Sequence, residues 1–152
     1  MIIRKFRESD AEEVSRLIEK VFIKSIAETF RKKGVRNFLK HETAENVLKR
    51  ARTRAVMVAV SDRKIIGVVE IAKDESRIRR LFVDNNYQGK GIGSRLFRKM
   101  ERVCMERNPK SIKIYASVNA VGFYESMGYR KFGGIRENKE GIIYQLMVKK
   151  FR

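Results

Sequence analysis

Three glycines lie between an apolar run and a run with helical spacing in the segment VDNNYQGKGIGSRLF, residues 83–97. Without Cβ atoms, these positions leave the first main-chain amides of the following helix open to a ligand. A helix N-terminus carries unpaired N–H groups and partial positive charge, so it suits an anion. The glycines and the side chains that add donors are Gly89, Gly91, Gly93, Gln88, Lys90 and Ser94. The segment therefore predicts a phosphate site, and several neighbouring amides favour a pyrophosphate.

The spacing of these glycines differs from two common phosphate-binding patterns. A Walker A loop needs G-x-x-x-x-G-K-[ST], whereas Lys90 lies between two glycines. A dinucleotide fingerprint needs G-x-G-x-x-G in a first strand–helix unit, whereas this segment is more tightly spaced and lies in mid-chain. If the glycines are taken alone, a purely structural turn at the start of a helix is the alternative.

Two blocks of sequence together resemble a known family. Residues 81–84 (LFVD) and 88–93 (QGKGIG) are similar to the acetyl-CoA-binding signature Q/R-x-x-G-x-G/A of GNAT-type N-acetyltransferases. Residues 120–129 (AVGFYESMGY) resemble the A-x-x-F-Y-E-x-x-G-F block of that family. The resemblance is specific over about residues 65–130 and only architectural elsewhere. It implies an α+β fold, with a mixed, mostly antiparallel sheet of about seven strands, a splayed central pair and four to five helices.

The resemblance also implies roles for residues in both blocks. In this family the main chain of the fourth strand pairs with the pantetheine arm of the coenzyme, as an added strand would. The matching positions are Leu81, Phe82 and Val83. The positions expected to bind the diphosphate are Gln88, Gly89, Lys90, Gly91, Ile92, Gly93 and Ser94. Tyr124 matches the tyrosine that protonates the departing thiolate of CoA, and packing in the core is its alternative role.

Two departures from the family pattern affect the rest of the site. Many members place Asn seven residues before the tyrosine, where this chain has Ser117, and Asn119 lies two residues later. Either residue is therefore a candidate contact to the CoA arm. The glutamates that act as general base in some relatives correspond here to positions near Arg77 and at Ile112. Neither familiar base is present.

Acetyl transfer requires a neutral amine, so a proton must leave the ammonium group directly or through water. Glu70, within the apolar run VVEIA, is the best local carboxylate, and a solvent-facing position on a half-exposed strand is its alternative. His41 is the only histidine and belongs to a residue type that titrates near neutral pH, but a surface role is favoured. Cys104 lies on the apolar face of a predicted helix, which indicates a core residue rather than a nucleophile.

Period-two and helical patterns position both blocks near the middle of one predicted sheet. Strands are predicted at residues 1–6, 55–60, 65–72, 78–83, 111–116, 129–132 and 142–148. Helices are predicted from a capping box at Ser9–Glu12, over residues 24–33 with an end near Gly34, over 43–52, after the glycines with a stop at Asn108-Pro109, and over 120–127. Short turns favour an antiparallel meander, followed by a strand–helix–strand crossover.

Composition predicts a single globular domain over residues 1–152. Hydrophobic residues make up 43% and charged residues 36%, and no apolar stretch is long enough for a membrane span. The N-terminus MIIRKFRESD lacks the apolar core of a secretory signal. One cysteine excludes an internal disulfide and a cysteine-based metal cluster, so we expect no metal and a reducing, cytoplasmic location.

The net charge is the outlying number. The chain has 36 Lys and Arg against 18 Asp and Glu, a formal charge of +18, which attracts polyanions. The basic runs are spread along the chain, at residues 31–33, 49–52, 79–80 and 98–99. A nucleic-acid-associated or ribosome-associated protein is therefore an alternative that charge alone supports.

Residues 23–53, which the family motifs do not reach, are expected to contact the acceptor. Their Lys and Arg content argues against polycationic acceptors and for neutral or acidic ones. The predicted function is acetyl transfer from acetyl-CoA to a primary amine of a small-molecule or protein acceptor, by direct attack in a ternary complex. A non-catalytic acyl-CoA-binding module is the other alternative, and a homodimer is left open.

Overall fold

The structure is a computed structural model that describes residues 1–72 and 76–151. The strands are β1 Ile2–Lys5, β2 Ala55–Ser61, β3 Lys64–Ile71, β4 Arg77–Val83, β5 Ser111–Ala116, β6 Arg130–Glu137 and β7 Ile143–Lys150. The helices are α1 Ala11–Ser25, α2 Lys32–Lys40, α3 Ala44–Ala51, α4 Ile92–Met105 and α5 Val121–Ser126. None of the described helices is long and apolar enough to cross a bilayer.

The strands form one seven-stranded sheet in the order β1-β2-β3-β4-β5-β7-β6. Neighbouring strands are antiparallel except β4 and β5, which are parallel. The two-residue turn between β2 and β3 has positive φ at Asp62 and Arg63, the geometry that joins tightly paired antiparallel strands. A parallel pair needs a crossover instead, and α4 provides it. The predicted α+β fold with a mixed, mostly antiparallel sheet is confirmed.

The sheet buries an apolar core on each face. Successive residues of β2 alternate between the two cores: Val56 and Val58 pack with α1 and α3, whereas Met57 and Ala59 pack with α4. This alternation is the period of a strand with both faces covered. Cys104 of α4 is fully buried in the core between α4 and the sheet, as predicted.

The helix predicted over residues 24–33 is wrong. Instead α1 continues to Ser25, and Gly34, the expected end, lies inside α2. A Cβ atom on Gly34 would collide with the carbonyl oxygen of Gly141 in the turn between β6 and β7. The glycine is therefore explained by close contact with that turn and not by the end of a helix.

The predicted capping box at Ser9–Glu12 does not form. Ser9 lies in a short 3₁₀ turn, Glu8–Asp10, and the side chain of Asp10 accepts a hydrogen bond from the Arg7 amide at 2.8 Å. The guanidinium group of Arg4 donates two more hydrogen bonds to this carboxylate, at 2.8 and 3.0 Å. The buried Asp10 therefore joins β1 to the start of α1, a role that Ser9 could not fill.

Candidate active site

The site is created by the divergence of β4 and β5. The two strands pair only at Arg77 with Lys113 and at Ile78 with Ile114. Beyond these pairs, the main chain of residues 79–83 has no strand partner on its β5 side within the described chain. Two cavities open at this divergence, and both are lined by Ile26, Leu81, Phe82, Ser117, Ala120 and Tyr124.

A β-bulge in β4 changes which side chains reach these cavities. In the register with β3, Val68 lies opposite Phe82 and Glu70 opposite Arg79, so two residues of β4 face one of β3. Arg80, inside the bulge, has φ of 51°, a left-handed conformation that is unfavourable for a long side chain. Successive residues of a regular strand point to opposite faces of the sheet. Because of the bulge, Arg79 and Arg80 line the same cavity.

The first cavity, of about 550 Å³, lies over the start of α4. Gly89 and Gly91 have φ of 78° and 81°, and no described atom lies within 4 Å of a Cβ built on either residue. The first intrahelical hydrogen bond runs from the Arg95 amide to the Gly91 carbonyl at 3.1 Å. The amides of residues 92–94 therefore have no intrahelical acceptor, and this open glycine segment fits a diphosphate.

The predicted side-chain donors around this cavity have different roles in the structure. The side-chain amide of Gln88 donates to the Val83 carbonyl at 2.9 Å. The side-chain amide of Asn119 donates to the Ser25 carbonyl at 2.8 Å. Both side chains thus hold the walls of the cavity together. The Lys90 Nζ atom lies 5.5 Å from the ring centre of Tyr87. Ser117 lines both cavities.

Tyr124 lies where the two cavities meet. It is 7% exposed and packs edge-on against Phe97 and Phe123, with ring centres 5.5 and 5.1 Å away. Burial raises the pKa of this phenol well above its ordinary value. The group therefore stays protonated at neutral pH and is available as a hydrogen-bond donor.

The second cavity, of about 540 Å³, extends from Tyr124 toward α2, α3 and the turn between β6 and β7. Aromatic rings form part of its wall, and Phe22 stacks on Phe38 with ring centres 4.0 Å apart. Tyr115 and Tyr144 stack in the same way at 4.6 Å. The cavity is large enough for a small molecule and offers apolar surfaces for its carbon skeleton.

Glu70 is 2% exposed, so the solvent-facing alternative for this residue is wrong. Its carboxylate accepts three hydrogen bonds from Arg50, at 3.2–3.3 Å, and lies 3.6 Å from Arg54. Glu42, only 1% exposed, lies beside it and binds Arg50 at 2.7 Å and Arg80 at 3.1 Å. Glu70 is therefore part of a buried ion-pair network, and Glu42 is a member that the sequence did not indicate.

His41 and Glu140 form a pair at the rim of the second cavity. The His41 Nε2 atom lies 2.9 Å from the Glu140 carboxylate, and the histidine hydrogen bond lowers the pKa of that carboxyl group. The side-chain amide of Asn37 donates to the Glu140 carbonyl at 2.7 Å. These contacts dock the turn between β6 and β7 onto α2, which is why His41 faces a cavity despite its partial exposure. Within residues 1–72 and 76–151, no group of three His, Cys, Asp or Glu is placed to hold a metal ion.

Comparison with known proteins gives a consistent result. Residues 26–151 match the family model described as the acetyltransferase (GNAT) domain. An uncharacterized protein, YxbD of Bacillus subtilis (strain 168), is 35% identical over 72 residues, which cover 45% of each chain. An N-acetylaspartate synthetase of Xenopus tropicalis is 31% identical over 102 residues, 62% of this chain and 38% of the relative. The chain thus spans less than half the length of these curated relatives.

A solved structure extends the match to nearly the whole chain. The PaiA N-acetyltransferase from Thermoplasma acidophilum, solved in complex with coenzyme A, superposes with a TM-score of 0.80. The aligned part covers 99% of this chain and 98% of the other, at 17% sequence identity. At that identity the likeness is one of fold.

Proposed function

Because the chain belongs to the GNAT acetyltransferase family, we propose that it moves an acetyl group from acetyl-CoA to a primary amine by direct attack in a ternary complex. One observation carries the proposal: a cavity over bare helix amides and a second cavity meet at a single buried tyrosine, Tyr124. Two substrates held in the two cavities would have their reacting ends at the same place. Residues 1–152 would act as one N-acetyltransferase domain.

The first cavity would hold the coenzyme mainly through main-chain groups. The amides of Ile92, Gly93 and Ser94 would bind the diphosphate, with the glycines admitting it and Lys90 adding positive charge. The pantetheine arm would pair with the main chain of residues 81–83, the part of β4 that lacks a partner toward β5. Ser117 would contact the arm directly, and Asn119 would support that wall through its bond to Ser25.

The chain's own groups would then assist transfer. Acetyl-CoA supplies an activated acetyl thioester, and the second cavity would orient the amine toward it. A main-chain N–H near Val83 would polarise the thioester carbonyl. The Tyr124 hydroxyl would donate a proton to the departing sulfur. This route forms no covalent enzyme intermediate and requires no metal.

Of the two routes predicted for the amine proton, Glu70 and water, we favour water. Three hydrogen bonds from Arg50 occupy the Glu70 carboxylate, and Glu70 is absent from the lining of both cavities. Glu70 would instead hold Arg50 and Arg54 in place at the wall of the second cavity. The proposed setting is the cytoplasm, in keeping with one buried cysteine. The proposed reaction does not depend on a second copy of the chain.

An acceptor screen tests the proposal. Acetyl-CoA and a panel of primary amines are incubated with the protein, and released thiol is measured for the wild type and for Tyr124→Phe. Thiol release that depends on the amine and falls sharply in Tyr124→Phe supports an acetyltransferase. Binding of acetyl-CoA without turnover would favour a non-catalytic module. Absence of coenzyme binding, together with RNA or DNA affinity that falls steeply with salt, would favour a nucleic-acid-associated protein.

A further inference from the structure

We propose that the second cavity selects an acceptor amine that also carries an oxyanion, a carboxylate or a phosphate, bound by Arg79 and Arg80. The inference rests on the proposed acetyl transfer and names the class of acceptor that this transfer would use. It comes from charges that the fold buries beside the cavity and leaves only partly neutralised.

Four guanidinium groups line this cavity, and we call them the arginine cluster: Arg50, Arg54, Arg79 and Arg80. The buried carboxylates that contact the cluster are Glu42 and Glu70. Four cations against two anions leave an excess of two positive charges in a partly desolvated wall. Glu140 at the rim is already paired with His41.

Arg79 lies beside the bulge of β4 and Arg80 inside it, and the buried carboxylates do not fully satisfy either residue. Within the described residues, Arg79 forms no ion pair, whereas Arg50 and Arg54 contact Glu70. Arg80 binds Glu42 through its Nε atom and lies 3.9 Å from Glu70, but its buried Nη1 atom, like that of Arg54, has no hydrogen-bond acceptor in the described chain. Burial and the neighbouring Arg80 and Arg77 lower the pKa of Arg79 to about 10, so it still carries a charge at neutral pH.

An oxyanion would satisfy what the protein leaves unsatisfied. A buried cation without a counter-ion is costly, as is a buried donor without an acceptor. Guanidinium groups bind carboxylates and phosphates with paired, planar hydrogen bonds, which gives orientation as well as affinity. The bulge, with Arg80 at φ of 51°, places Arg79 and Arg80 on one cavity where a regular strand would separate them.

The same charges would exclude other amines. A polycationic acceptor would bring like charges against the arginine cluster, and such repulsion is an effective means of specificity. An amine with a distal oxyanion would instead lie with its charge at Arg79 and Arg80 and its amino group toward Tyr124. The shared lining of Leu81, Phe82 and Tyr124 marks the end of the cavity where transfer would occur.

Matched pairs of amines test the inference. β-Alanine is compared with β-alaninamide, and phosphoethanolamine with ethanolamine, so that each pair differs in the oxyanion and the two pairs separate carboxylate from phosphate. Spermidine serves as the polycation. We expect kcat/KM to be about tenfold or more higher for at least one anionic amine than for its neutral partner, since charge-assisted bonds to partly buried arginine are strong. Equal rates within both pairs, or a preference for spermidine, would overturn the inference.

Variants locate the preference within the cavity. Arg79→Gln leaves the ion pairs of Arg50 and Arg80 in place, so it should fold, and it should raise KM for the anionic amine about tenfold without changing KM for acetyl-CoA. Arg79→Lys should restore part of the preference. Arg98→Gln removes the same charge from an exposed position on α4 and should change neither constant. An unchanged preference in Arg79→Gln would contradict the assignment.

A binding experiment covers the case in which no amine of the panel is acetylated. The protein is saturated with CoA, which occupies the anion site of the first cavity, and titrated calorimetrically with succinate and with inorganic phosphate. We expect binding of at least one anion that weakens in Arg79→Gln, and no binding of either would overturn the inference. Failure of the protein to bind CoA would instead contradict the proposed function. Efficient acetylation of neutral amines would contradict only the inference about the acceptor.

Discussion

The two cavities that meet at Tyr124 share part of their lining but differ in the groups that they offer to a ligand. The first cavity takes the glycines and the open helix amides from one continuous segment, residues 88–94, and offers main-chain groups there, with no described atom within 4 Å of a Cβ built on Gly89 or Gly91. The opposite cavity takes its charged side chains from α3, from the bulge of β4 and from the turn between β6 and β7. In the proposed function, the coenzyme common to the family would be bound mainly by main-chain groups. The acceptor particular to this chain would be bound by side chains from distant segments.

The largest effect on acetyl-CoA binding is expected from a substitution in the first cavity. Gly91→Val places a β-branched side chain at φ of 81° and in the space that the diphosphate would fill, so we expect acetyl-CoA binding and turnover to be lost. Calorimetric titration measures the binding. Gly134→Ala is the matched control, because its Cβ meets no atom within 4 Å and its position on β6 is remote from the site. Normal acetyl-CoA affinity in a folded Gly91→Val protein would show that the open amides at the start of α4 do not hold the diphosphate.

The junction between the cavities is the next test. Tyr124→Phe removes the proposed proton donor without removing the ring, so kcat should fall by about 10²–10⁴ while acetyl-CoA affinity stays the same. Steady-state kinetics and titration separate the two constants. Tyr129→Phe is the control: its hydroxyl binds Glu101 at 2.7 Å, so this variant should lose roughly 1–3 kcal/mol of stability but keep kcat. Equal kcat in the wild type and Tyr124→Phe would remove the catalytic role.

The buried carboxylates beside the second cavity should contribute to the stability of the fold. Glu70→Gln removes a charge that neutralises Arg50 and Arg54, and breaking a buried pair in this way costs roughly 3 kcal/mol. Urea unfolding measures the loss. Glu12→Gln breaks an exposed pair with Arg16 at 3.9 Å and should change the free energy of unfolding by less than about 0.5 kcal/mol. If Glu70→Gln is as stable as the wild type, the Glu70 charge does not stabilise the fold by neutralising Arg50 and Arg54.

The smallest effect is expected on stability at acid pH and comes from Asp84, which follows β4 beside the first cavity. Burial alone would raise the pKa of Asp84, but hydrogen bonds from the Asn86 amide and from Lys20 outweigh it and hold the pKa below its ordinary value. A lowered folded-state pKa gives stability that is present above the unfolded value, about 3.9, and lost as pH falls through the folded value. The fall in free energy of unfolding between pH 5 and pH 2 should therefore be smaller in Asp84→Asn. An identical fall in both proteins would contradict this assignment.

The anion-binding part of the first cavity could be predicted from the sequence because residues 88–94 are adjacent along the chain. Gly89 and Gly91 are recognisable by type and spacing, and the structure places them with open space above them at the start of α4. The apolar runs at residues 55–60 and 65–72 predicted central strands of the sheet, since a strand buried on both faces is apolar at nearly every position. The splay of β4 from β5 came from the family resemblance and not from the residues.

Most of the second cavity could not be predicted from the sequence, because contacts between distant segments determine which side chains line it. Arg79 and Arg80 were visible only as a basic run, and no local pattern indicates a bulge that turns both toward one cavity. Glu42 and Glu140 resemble surface residues until α2, α3 and the turn between β6 and β7 come together. The sequence predicts a helix end at Gly34, because glycine at a close contact and glycine at a helix terminus look alike in sequence.

The most direct test is an NMR titration of the main-chain amides with CoA. If bare amides at the start of α4 hold the diphosphate, the Ile92, Gly93 and Ser94 signals should shift strongly on addition of CoA, while amides of the α3 segment, residues 44–51, move little. If those three amides stay in place while the protein binds CoA, or if CoA moves no signal at all, the central claim is contradicted.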